Sequence, residues 1–299
     1  MKRLMGRILV LSLAAVLLGE RGFTTADEPK RTDILVEFTM PKAPRLLTVP
    51  VTLRGQSYQF VINTGASWMV YDQSFEDQLG APIGAGAVTT AAKPLTLKYC
   101  NAPDATLGPL SLKTAEKVCC MDLRFLDRLG VGRIHGIIGM SFLKKYAMTL
   151  DVSHRKIQFR HEASIDEAKG LPLRFDESGI PLVEVVMPGE QPKLYEFDTG
   201  TDSTVAVSLD RTTFDRLIMR QEFYGVGTKR KADPSGERDT RYGVATTAAF
   251  FGFRLSDIDV NETASGDFRI GMGAIQRMNL VLDFPRKRMT AERAPFWWW

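Results

Sequence analysis

The sequence predicts an all-β protein in which one structural unit is used twice. Three observations carry this. Apolar runs are short and separated by turn residues. Pairs of runs flank tight turns. Two separate segments recur later in the chain, in the same order and at nearly the same spacing.

Leu47 to Leu53 (LTVPVTL) and Tyr58 to Ile62 (YQFVI) flank Arg54-Gly55-Gln56-Ser57. Two β-rich runs across a glycine turn read as a hairpin. Gly179 to Met187 and Leu194 to Phe197 repeat the arrangement around Pro188-Gly189-Glu190-Gln191-Pro192. Short strands with frequent turn signals favour an all-β architecture.

The first repeat pairs Val61-Ile62-Asn63-Thr64-Gly65-Ala66-Ser67 with Glu196-Phe197-Asp198-Thr199-Gly200-Thr201-Asp202, at an offset of 135 residues from Asn63 to Asp198. The second aligns Ile137 to Ile157 with Arg269 to Met289 without gaps, 21 positions at an offset of 132. Its identical pairs include Gly139/Gly271, Met140/Met272, Leu150/Leu282 and Asp151/Asp283. Two elements repeating in order imply a duplicated unit. The predicted lobes are 33–162 and 170–293, joined by a polar linker from His161 to Gly170. Gly227 to Gly243 is dense in charge and turn residues and reads as a surface loop, with a lid over a cleft as the alternative.

An apolar strand running into Asp-Thr-Gly aims a carboxylate out of a sheet. The Thr hydroxyl can bond to a partner loop, and Gly permits close approach. Two such loops face to face hold two carboxyl groups side by side, which share one proton. The ionised member draws a proton from water while the other donates to the peptide carbonyl oxygen.

On these residues the chain resembles the aspartic proteases. Asp198-Thr199-Gly200 after YEF is similar to their catalytic turn. Asn63-Thr64-Gly65-Ala66-Ser67 after FVI is similar to the D-T-G-A-S turn of the retropepsin-like branch, with Asn in the Asp place. In that family an apolar-apolar-Gly element later in each lobe braces the catalytic loop. Ile137-Ile138-Gly139 and Arg269-Ile270-Gly271 stand at that distance, and Gly139 to Tyr146 followed by Thr149-Leu150-Asp151 is similar to bacterial members. The resemblance implies a bilobal all-β fold, two retropepsin-like β-barrel lobes with a cleft between them. It also implies a polypeptide substrate or peptide ligand in that cleft. It assigns Asp198 and Asn63 to the catalytic positions, and Thr64, Gly65, Ser67, Thr199, Gly200, Thr201, Gly139 and Gly271 to supporting or substrate-binding ones. Asp151 and Asp283 read as structural turn residues.

The chain departs from the family pattern in three places. Asn63 cannot ionise, so the shared-proton device is missing. Arg269 stands where an apolar residue is usual. A flap tyrosine has Tyr99 as a candidate by position, in competition with an ordinary core or surface role. Three functional readings follow: an aspartic endopeptidase impaired by Asn63, a pseudoprotease that only binds extended peptides, and a structural envelope protein with a vestigial cleft.

Composition narrows the rest. Lys2, Arg3 and Arg7, then Ile8 to Leu18, then small and polar residues to Ala26 read as a signal peptide over 1–26. The expected location is therefore secreted, or the periplasm or cell envelope. An uncleaved interfacial anchor is the alternative. The apolar run is shorter than the ~20 residues that span a bilayer, so no integral membrane span is expected. The net charge of +4 falls to +1 without residues 1–26 and gives no reason to expect nucleic acid. His135, His154 and His161 form no HExxH and the three cysteines no zinc spacing, so neither metal nor other cofactor is expected. Export would permit a disulfide from Cys100 to Cys119 or Cys120; buried free thiols are the alternative. No G-x-S-x-G occurs, which argues against a serine hydrolase. The expected state is a monomer, and the Trp297 to Trp299 tail is unassigned.

Overall fold

The hairpin signals are realised as antiparallel pairs. Thr48–Leu53 pairs with Gln56–Ile62, and Pro181–Val186 with Lys193–Phe197. The structure is a computed structural model that describes residues 34–295, apart from 43, 89–94, 114–116, 167–168, 234–235 and 264–265. The predicted signal peptide and the tryptophan tail lie outside the described residues.

The fold is all-β, with three sheets and few, short helices among the described residues. One sheet runs, in spatial order, Gly84–Val88, Leu95–Cys100, Val118–Met121, Val70–Asp72, Gly136–Ile138, Gln56–Ile62, Thr48–Leu53, then the short Ala105–Leu107 and Leu110–Ser111. A second runs Phe223–Asp233, Gly236–Phe250, Phe253–Glu262, Val207–Leu209, Arg269–Ile270, Lys193–Phe197, Pro181–Val186, Arg174–Phe175. From the first strand to the seventh, the two sheets match in spatial order, in chain order and in the parallel or antiparallel sense of every neighbouring pair.

A third sheet draws on both halves of the chain. Its middle pair is Ala147–Asp151 against Met278–Asp283, with Lys156–Arg160 and Ile34–Thr39 on one side, Arg288–Arg293 and Leu171–Pro172 on the other. Met148 pairs with Leu282 and Leu150 with Leu280. Leu282 and Leu280 are themselves the repeat counterparts of Leu150 and Met148, so this register maps onto itself when the repeats are exchanged. Asp151 and Asp283 end the two middle strands and hold the following turns. Asp151 accepts from the His154 amide at 3.0 Å, and Asp283 from the Arg286 amide at 3.0 Å.

Strand alternation puts Phe60, Ile62, Tyr71 and Ile138 into the main core together with Phe142, Phe159, Phe197, Ile270 and Leu282. The intervening Val61, Val70 and Cys119 point the other way, into a separate apolar cluster edged by Trp68, Tyr99 and Ile137. After the matched strands Val70–Asp72 and Val207–Leu209, an aspartate caps a helical turn in each half. Asp72 accepts from the Ser74 amide at 3.0 Å and Asp210 from the Thr213 amide at 2.8 Å. The second leads into Arg211–Met219, the longest helix among the described residues, which buries Phe214 and Leu217.

One expectation is corrected. Gly227 to Gly243 is no irregular loop but the distal part of the hairpin Phe223–Asp233 and Gly236–Phe250, paired from Gly227↔Tyr242 to Asp233↔Gly236. Polar and charged residues that alternate along a hairpin look like loop composition when read along the chain. No helix among the described residues is long and apolar enough to cross a membrane.

Candidate functional site

Both turns begin as strands that end beside a brace. Gln56–Ile62 runs parallel to Gly136–Ile138, and the Asn63 amide donates to the Ile138 carbonyl at 3.0 Å. Lys193–Phe197 runs parallel to Arg269–Ile270, and the Asp198 amide donates to the Ile270 carbonyl at 2.9 Å. Each brace then grips its turn from behind. The Met140 amide donates to Ala66 and the Ser141 amide to the Ser67 carbonyl, at 2.7 and 2.9 Å. Met272 donates instead to the Thr201 hydroxyl at 3.0 Å, and that hydroxyl donates to the Asp198 carbonyl at 3.1 Å. A Cβ on Gly139 would collide with the backbone of Ala66 and Trp68, and one on Gly271 with Thr201 and the Val205 carbonyl, so the brace needs glycine for close approach.

The two turns interlock through their threonines. Thr64 Oγ1 donates to the Phe197 carbonyl at 2.5 Å and accepts from the Thr199 amide at 3.0 Å. Thr199 Oγ1 returns both bonds, donating to the Ile62 carbonyl at 2.8 Å and accepting from the Thr64 amide at 3.1 Å. Both threonines are fully buried. Asn63 Oδ1 accepts from the Gly65 amide and Asp198 Oδ1 from the Gly200 amide, each at 2.8 Å. Each side chain also rests against the other turn. A Cβ on Gly65 would lie 2.5 Å from Asp198 Cγ, and one on Gly200 would overlap the Asn63 carboxamide. The carboxamide and the carboxylate are thus seated symmetrically, with Asn63 half-buried and Asp198 only 6% exposed.

Residues 49–142 match the aspartyl protease family model. The matched stretch contains the Asn63 turn and its brace and stops at Phe142, short of Asp198. No curated protein matches the chain.

All ten of the residues singled out from the sequence meet in this one interlocked pair of turns. A further contact was invisible in the sequence. Arg45 donates to the Leu129 carbonyl at 2.9 Å and pairs with Asp202, and its carbonyl accepts from the Ser203 amide at 3.1 Å. It ties the Asp198 turn to the first half of the chain. Arg269, visible as a departure from pattern, acquires partners. Its guanidinium binds Glu196 at 2.6 Å and Asp267 at 3.1 Å, and approaches Asp198 Oδ2 to 4.0 Å. Burial pushes the Glu196 carboxyl up, and the Arg269 charge offsets part of that. Burial works against the Arg269 charge too, but Asp198 and Glu196 outweigh it and hold the guanidinium above its usual value.

Tyr99 lies on the second strand of the hairpin Gly84–Val88 and Leu95–Cys100, opposite Gly84, with the Lys117 ammonium 3.4 Å from its ring centre. Cys100, Cys119 and Cys120 are free and buried. Burial pushes Cys119 up to about 11 and Cys120 up to about 12, which makes them poor nucleophiles.

Chemically, the arrangement offers one carboxylate able to take a proton from water and, across from it, an amide able to donate a hydrogen bond. The amide cannot hand over a proton.

Proposed function

We propose that this chain is a secreted aspartic-protease-like protein of two lobes, 33–162 and 170–293. In this reading an extended peptide is held between the lobes at Asn63 and Asp198, and Asn63 impairs its hydrolysis. The observation that carries it is the reciprocal Thr64–Thr199 bonding, which seats the two side chains against each other's glycines. The match of residues 49–142 to aspartyl proteases and the twice-used strand order support the same reading.

Asp198 takes the general-base role and Asn63 can only hydrogen-bond the peptide carbonyl. Loss of general acid help costs ~10²–10⁴-fold in rate. The cleft keeps its other task, holding an extended chain largely through backbone hydrogen bonds, which needs no second carboxylate.

The test is cleavage of a denatured protein from about pH 3 to 8. Wild type should cleave poorly throughout. Asn63→Asp should restore a two-step titrating pair and an acidic optimum, and adding Asp198→Asn should abolish it. Efficient wild-type cleavage that survives Asp198→Asn would place the active site elsewhere. A folded but inert Asn63→Asp protein would refute the view that this one residue limits catalysis.

A further inference from the structure

The strand register lines up one row of residues across each sheet, starting two residues before Asn63 or Asp198 and on the same strand face. In the first half the row is Val61, Ile137, Val70, Cys119, Tyr99, Gly84, each directly paired with the next. In the second half the same steps give Glu196, Arg269, Ser208, Asn261, Tyr242, Gly227. The strand senses agree at every step, and the rows end alike, in a tyrosine facing a glycine.

Between those ends the chemistry is reversed. The first row is apolar and belongs to the satellite cluster that half-exposes Trp68 and Ile137. In the second, a valine–isoleucine pair is replaced by the Glu196–Arg269 ion pair, valine by serine, and cysteine by asparagine. Asn261 is only 1% exposed, and neither its Nδ2 nor its Oδ1 has a hydrogen-bond partner among the described residues. Thr240 Oγ1, on the same strand face as Tyr242, is equally buried and unpartnered. Buried polar groups of this kind are ordinarily satisfied, by ordered water where no side chain reaches them, so Asn261 and Thr240 mark this wall as polar where the first is apolar. The wall's charge has a sign. Asp198, Glu196 and Asp267 surround a single guanidinium, while Lys229, farther along, is countered by Asp259. Glu196, Arg269 and Asp267 side chains are 23%, 36% and 40% exposed, within reach of a ligand.

We infer that the two walls beside Asn63 and Asp198 select different side chains of one extended peptide: an apolar or aromatic one against the Val61–Ile137 wall, a basic one against the Glu196–Asn261 wall. This rests on the peptide-binding reading above and specifies its ligand. The excess carboxylate of Glu196, Asp267 and Asp198 over the single guanidinium attracts the cation.

The experiment is fluorescence polarisation of the full-length wild-type protein with labelled extended octapeptides. Their central pair combines Leu with Arg, Lys, Leu or Glu, in both orders. Arg and Lys peptides should bind at least ten-fold more tightly than Glu peptides. Glu196→Val with Arg269→Ile, which installs the residues of the matched first-half positions, should turn the preference from Arg to Leu. Glu196→Gln, which keeps a hydrogen-bond acceptor and the shape, should shrink the Arg-over-Glu ratio several-fold even if the double variant does not fold. Equal binding of Arg, Leu and Glu peptides, or a ratio unmoved by Glu196→Gln, would overturn the selectivity while leaving peptide binding intact. No binding of any peptide would remove the peptide-holding function itself.

Discussion

Replacing Thr64 by valine keeps the shape of a fully buried side chain and deletes one hydroxyl. That hydroxyl donates to the Phe197 carbonyl and accepts from the Thr199 amide. Neither group can turn to water, because Thr64 and Thr199 are both 0% exposed. A buried polar group left without its partner costs ~1–3 kcal/mol. Two of them put the expected loss at about 2–6 kcal/mol, with no cavity contribution because the volume is nearly unchanged. That is a large share of the ~5–15 kcal/mol by which a domain is stable. Thr199→Val removes the mirror pair, the Ile62 carbonyl and the Thr64 amide, and should cost a similar amount. Thr64→Ser keeps the hydroxyl and loses one methyl, for ~1 kcal/mol. Urea unfolding of the three variants at pH 7 measures this directly. A Thr64→Val protein within about 0.5 kcal/mol of wild type would refute the interlocked-turn account. So would valine variants at 64 and 199 that differ severalfold.

Two further outcomes follow from other parts of the molecule. Glu190 receives two hydrogen bonds from Arg216, at 2.8 and 2.6 Å, and lies beside Arg220; these hold its carboxyl below the usual range. A depressed folded pKa gives stability that is present above the unfolded pKa and lost as pH falls through the folded one. Glu190→Gln should therefore lower the urea midpoint at pH 7 and converge with wild type in acid; a difference that persists or grows in acid would contradict the assignment. The three cysteines should resist a thiol reagent in the native protein at pH 8 and all titrate once it is denatured, whereas fewer than three thiols after denaturation without reductant would reveal a disulfide.

The parts of the fold legible in the sequence are those where the backbone's task leaves no choice of residue. Thr64 and Thr199 must each reach the opposite strand end, Gly65 and Gly200 must admit the opposing side chain, and Gly139 and Gly271 must touch their turns. These positions recur as recognisable text. The outer strands repeat just as faithfully in register, yet their residues do not recur, because a strand face tolerates any side chain that packs. Connections of unequal length hide them further. Val70 and Ser208 differ by 138 positions, Tyr99 and Tyr242 by 143, and Ile137 and Arg269 by 132. The offset rises across the helix Arg211–Met219 of the second half and falls across the helical segment Arg124–Leu129 of the first. A search at one offset finds only the segments beside the site. Arg269 stood out as a misfit in the sequence, but its partners are Glu196, 73 residues earlier, and Asp267, and only strand pairing brings Glu196 beside it.

The divergence of the two rows can be weighed energetically. Glu196 and Arg269 occupy positions where the first half holds valine and isoleucine, so the fold demonstrably accommodates an apolar pair at that register. An ion pair in a partly desolvated place gains Coulombic energy but loses hydration, and substituting apolar residues of similar volume is often neutral or stabilising. At 23% and 36% exposure the pair is neither buried enough to be costly nor free enough to be negligible. Stability therefore supplies no strong reason for the ion pair. What the pair does supply is fixed charge beside Asp198, on the wall that also carries the unpartnered Asn261 amide. The interlocked turns must stay symmetric because each completes the other, whereas the walls carry no such mutual constraint. A repeated unit thereby keeps one shared device where its two turns meet while its two walls acquire different chemistry, the difference on which the proposed peptide selectivity rests.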